Sequence, residues 1–126
     1  MKIEKNEIEF VEKQKTKCKL YNAKFVPAPF NEFVAIALKS FEGFVMPING
    51  LRHPKESKQS SNWYIWAGEY SESDDFFQVV HIHHLLEICP KVINYLGLAP
   101  GWRFLFDNNY EDVWFDQNLL DITSPL

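Results

Sequence analysis

The sequence predicts an α+β domain with a largely antiparallel sheet. Three observations carry this: a charge-graded helical segment at the N-terminus, short alternating segments rich in aromatics, and two final strands about an Asn-Asn turn. Strands and helices alternate without repeated βαβ units, which argues against a parallel, doubly wound sheet. With 126 residues, 46% of them hydrophobic and 16% aromatic, a single domain over 1–126 with one core is expected.

The elements follow in order. Asn6 can cap a first helix that carries Ile8, Val11, Gln14 or Lys15, and Cys18 at helical spacing. Glu7, Glu9 and Glu12 precede Lys13, Lys15, Lys17 and Lys19, an order that suits the helix dipole. "FVPAPF" ends any helix through Pro27 and Pro29, so 1–30 reads as a helix and a proline-rich connection. "EFVAIALKSFEGFVMPI" reads as one or two strands around Gly43, closed by Pro47. "INGLRHPKESKQSSN" reads as a polar loop with Asn49-Gly50 as its turn signal.

"NWYIWAGEY" is a short strand with Trp63 and Ile65 on one face, Tyr64 and Trp66 on the other. "SESDD" is an acidic turn, and "FFQVVHI" is a further strand. "HHLLEICPKVINYLGL" reads as helical, with Pro90 either starting a new segment or kinking a longer one. In the tail, counting back from Asn108-Asn109 sets Trp102 opposite Phe115 and Phe104 opposite Val113 on one apolar face. Arg103 then meets Trp114 on the other face.

Composition bounds the function. No apolar run approaches the roughly 20 residues that span a bilayer, and the charged N-terminus lacks the apolar stretch of a secretion signal. Two widely separated cysteines suit a reducing compartment, so a cytoplasmic protein is expected. Residues 1–61 hold 11 of the 13 Lys and Arg and 7 of the 17 acids, a net of +4; residues 62–126 carry a net of −8. Such an acidic half repels phosphate backbones and attracts basic proteins. It also serves plain solubility.

His81, His83 and His84 suggest a metal site, because two imidazoles spaced two apart on a strand share a face roughly 7 Å apart. His53 and Cys89 are possible further donors, but no HExxH, CxxC or HxE spacing supports them. If residues from 83 onward are helical, His81 and His83 leave a common face. The expectation is no cofactor and no metal, with a metal- or small-molecule-binding protein using His81, His83, His84 and His53 as the alternative. Nor is there a GxSxG elbow or a phosphate-binding glycine loop; Cys89 reads as a structural thiol, and Asp74-Asp75 and Glu111-Asp112 as solvated pairs. No catalytic residue is therefore assigned.

The outward face of the last hairpin offers more. Arg103 over Trp114 is a cation–π pair, and Asp112 and Asp116 can hold the guanidinium. Such a cluster can simply lock a sheet. It can also bind a partner, with Trp114 as anchor and Asp107, Glu111, Asp112 and Asp116 presenting charge beside Arg103.

"PINGLRHP" (47–54), "WYIWAGE" (63–69), "CPKVINYLGLAPGWRFL" (89–105) and "YEDVWFD" (110–116) occur in this order. In these motifs the chain resembles the bacterial immunity protein 33 family, formerly domain of unknown function 2185, over a core of about 45–120. Asn62 stands where that pattern has glycine. The resemblance implies a non-catalytic antidote of a polymorphic-toxin system that binds a cognate toxin. A basic nuclease would suit the acidic half, with no direct contact to nucleic acid or membrane.

Overall fold

A 16-residue helix, α1 (Lys5–Leu20), opens the computed structural model, which describes residues 5–54 and 57–121. Asn6 lies inside this helix rather than at its cap. Of the two candidates for its third inward position, Gln14 is the buried one; its side-chain amide donates to the Ile93 carbonyl at 2.9 Å. Strands follow at β1 (Phe33–Ile36), β2 (Ile48–Arg52), β3 (Ser60–Ala67) and β4 (Gln78–His81). After β4 come two single-turn helices, α2 (Leu85–Ile88) and α3 (Pro90–Ile93), then β5 (Trp102–Phe106) and β6 (Glu111–Phe115). Pro90 starts α3 at its first turn, where its missing N–H costs no hydrogen bond.

The six strands form one sheet in the order β4-β1-β3-β2-β5-β6. Only the β1–β3 pair is parallel, as an α+β domain with a largely antiparallel sheet requires. The terminal hairpin has the register counted from its turn: Trp102 opposite Phe115, Arg103 opposite Trp114, Phe104 opposite Val113.

One face of the sheet carries Ile36, Ile65, Ala67, Phe104 and Phe106 into the core, where Val92, Ile93, Tyr95 and Leu96 meet them. Tyr95 stacks on Phe104 and Phe106 with ring centres 4.6 and 5.2 Å away. The Trp63 indole N–H donates to the Leu96 carbonyl at 3.0 Å. Each fully buried aliphatic or aromatic side chain contributes about 1.5–3 kcal/mol. The other face is covered in part by the β3–β4 connection, where Phe77 packs edge-on against Tyr64 and Trp66.

Two expectations are corrected. Residues 38–41 form a 3₁₀ turn rather than a strand. More consequentially, Ile48–Arg52 is not a loop but an interior strand, with β3 on one side and β5 on the other. Asn49-Gly50 sits mid-strand because the Phe104 ring occupies the space above Gly50, where a Cβ would come within 2.1 Å. Arg52, 1% exposed, is buried because carbonyls surround it. Its Nε donates to Ser61 at 2.9 Å, and its Nη1 to Val26, Leu98 and Leu96 at 2.9, 2.8 and 3.3 Å. Nη2 reaches the Pro27 carbonyl at 3.3 Å. Burial lowers the Arg52 pKa to about 10 against the opposing pull of the Glu32 carboxylate, so the guanidinium stays charged at neutral pH.

Asn62 adopts φ +60°, the region that glycine enters without steric cost. Asparagine tolerates this region better than other non-glycine side chains. Here β1 also shifts register against β3, between Phe33 and Ala35.

Candidate functional site

The hairpin face is built as the alternation predicts. The Arg103 guanidinium lies 5.4 Å from the centre of the Trp114 ring, and its Nη1 meets Asp116 Oδ2 at 3.2 Å. Asp116 also accepts from the Asn118 amide at 3.0 Å, capping the 3₁₀ turn Gln117–Leu120. Asp107 accepts from the Asn109 amide at 2.8 Å and so closes the hairpin turn. Asp112 is exposed and Trp114 half-buried. Asp107 and Asp116 thus have structural duties, while Asp112 and Trp114 are offered outward.

Glu111 turns the other way. It is one residue from Asp112, so the pleat sends it toward the helix side of the sheet. Its carboxylate accepts from Lys17 Nζ at 2.7 Å, from the Tyr95 hydroxyl at 2.5 Å, and from the Tyr21 hydroxyl. Burial works against ionisation, but these three hydrogen bonds and the Lys17 charge outweigh it and hold the carboxyl down to about 2. Burial, then the hydrogen bond to Glu111, pushes Tyr21 up to about 12 and raises Tyr95 as well. The cluster ties α1 to the last strand. This corrects the expectation that Glu111 presents charge outward beside Asp112: its carboxylate is engaged by Lys17, Tyr21 and Tyr95 instead.

A second surface lies at the end of the sheet marked by the paired row Ala67, Ile48, Phe106 and Glu111. Three loops leave from it: residues 42–47, 68–77 and 107–110. The Gly68 amide donates to the Pro47 carbonyl at 2.8 Å, joining the first two. Gly68, at φ +74°, has no room for a side chain because Val45 would lie 2.6 Å from its Cβ. Phe44 is 98% exposed and, at φ +55°, held in a backbone region that bulky residues avoid. Val45, Met46, Tyr70 and Tyr110 are exposed on the same loops. The same loops carry the exposed carboxylates of Glu42, Glu69, Glu72, Asp74 and Asp75. Sequence reading missed this rim, because "EGFVMP" was apolar enough to pass for strand; an apolar run pinned between glycine and proline was the available signal.

The histidines end closer together than either a strand or a helix would place them. One ring nitrogen from each of His81, His83 and His84 lies within 4.8 Å of the others. β4 ends at His81, and Ile82–His84 turns as a 3₁₀ helix about the buried Ile82. Junction geometry therefore gathers all three, where a helix starting at His83 would have parted His81 from His83. His53 does not join them. Its Nδ1 lies 3.0 Å from the Leu119 carbonyl, and its ring packs edge-on to Tyr64.

Burial raises the pKa of both Cys18 and Cys89, which leaves the thiol form dominant. Among the described residues, no helix is long and apolar enough to cross a membrane.

Residues 13–116 match the family model described as Imm33-like domain. Comparison with curated proteins and with solved structures returns no match.

Proposed function

This chain belongs to the Imm33-like domain family, and we propose that it is a non-catalytic immunity protein that binds and neutralises a cognate bacterial toxin. One observation carries the surface assignment: Phe44, 98% exposed, stands on one of three loops at the same end of the sheet, and those loops also carry exposed carboxylates. An aromatic anchor ringed by charge is the usual energetic centre of a protein interface. Tyr110, exposed in the hairpin turn, precedes the strand that carries Asp112 and Trp114, and we take the outward hairpin face with Arg103 as part of the same binding surface. Asp107 and Asp116 frame that face, and Glu111 supports it from behind through Lys17, Tyr21 and Tyr95.

The partner that suits this surface is basic, and a nuclease toxin fits, since its nucleic-acid groove must be positive and can be covered by carboxylates. The cytoplasm, where such a toxin would act on its producer, is the proposed place of action. Co-expression with the toxin encoded beside this gene tests the reading. Rescue of growth together with a stable purified complex is expected; a toxin that stays lethal and unbound overturns it. In a formed complex, Phe44→Ser should weaken affinity at least tenfold, the cost of losing an anchor worth about 1.4 kcal/mol or more.

A further inference from the structure

We propose that His81, His83 and His84 form a binding site for a divalent d-block ion of the zinc type, independent of the toxin-binding surface. Their donor atoms already lie within 4.8 Å of one another. A tetrahedral zinc ion with bonds near 2.0–2.1 Å needs its ligand atoms roughly 3.3 Å apart, a closure that small ring rotations supply. His83 and His84 are exposed, so those rotations meet little resistance.

The backbone that carries the rings is fixed. Ile82 and Leu85 are fully buried on either side of the pair. The Ile82 amide donates to the Glu32 carbonyl at 2.9 Å and the His83 amide to the Phe30 carbonyl at 3.1 Å. The His81 ring is stacked on Phe33, 4.6 Å between centres, which limits its freedom on one side. His83 and His84 rings are 4.2 Å apart. Three imidazoles on an anchored turn are a donor set that suits zinc, nickel or copper and disfavours calcium or magnesium.

Three protein ligands leave one position of a tetrahedron for solvent. His81 and His83 also line a groove of about 1180 Å³ between the first half of α1 and residues 27–31, with Glu7 and Asn31 among its walls.

The test uses tag-free protein in a non-chelating buffer. Titration with Zn²⁺ by calorimetry should saturate at one ion per chain, raise the melting temperature, and reverse with EDTA. Loading with Co²⁺ should give the visible absorption bands of a four-coordinate nitrogen-rich site. The His83→Ala/His84→Ala double variant changes exposed residues and should keep its circular-dichroism spectrum while losing binding at least tenfold. His53→Ala should bind as the parent does. Absence of saturable Zn²⁺ binding in the parent, or unchanged affinity in the double variant, overturns the proposal. Either result leaves toxin binding untouched.

Discussion

The ring of Phe104 fills the space in which a side chain at Gly50 would stand: a Cβ there would lie 2.1 Å from one ring carbon and 2.3 Å from the next. Phe104 is 1% exposed and held between Trp63 and Tyr95, so it has nowhere to retreat. Gly50→Ala should therefore cost about 3 kcal/mol, the upper range for overpacking a closed core, and lower the melting temperature by about 10 °C. Thermal denaturation checks this; a change under about 1 kcal/mol would show that β2 is not packed as described.

Arg52 organises the carbonyls of Val26, Pro27, Ser61, Leu96 and Leu98. Replacing it with methionine removes that donor from the Val26, Pro27, Ser61 and Leu98 oxygens, while Leu96 keeps the Trp63 indole N–H. The expected loss is about 3–5 kcal/mol, as when one member of a buried charged network is removed. Urea unfolding reads it directly, and Arg52→Lys, which restores a charge but not the planar fork, should fall between the two.

Glu111 supplies the pH dependence. Its carboxyl is held at about 2 when folded against an ordinary 4.5, so it stabilises the fold above that ordinary value. This contribution falls away as pH drops from about 4.5 through about 2. Glu111→Gln should lose about 2 kcal/mol at pH 7, the scale of a hydrogen bond to a charged group. Parent and variant should converge in stability as pH falls through that window. Urea midpoints at pH 7, 4 and 3 test it, and a gap constant across the series would refute the assignment.

Asp112 acts outward, so its effect should be kinetic. Asp112→Lys should leave stability within about 0.5 kcal/mol and slow association with a basic toxin, with a weaker dependence on salt. Stopped-flow association at two ionic strengths distinguishes this from a change in the off-rate.

How far the sequence disclosed these features depends on whether local rules met tertiary exceptions. The terminal hairpin was legible to the residue, because a two-residue turn fixes register and the two faces differ in chemistry. β2 was hidden because both of its local signals point the wrong way. Asn49-Gly50 signals a turn, and only Phe104, 54 residues after Gly50, explains the glycine. Arg52 signals solvent, and only the five carbonyls gathered from distant segments reverse that. The histidine cluster fell between two regular geometries. It forms at a 3₁₀ turn, whose brief periodicity no pattern of two or 3.6 residues reveals.

The strand order has a consequence for biosynthesis. β2 lies between β3 and β5, and β5 begins only at Trp102. A nascent chain cannot pair β2 on both sides until the residues through Phe106 have left the ribosome, so β2 waits for a strand made long after it. On the function proposed above, protection against a toxin would wait on that late pairing, which favours making this protein ahead of its target.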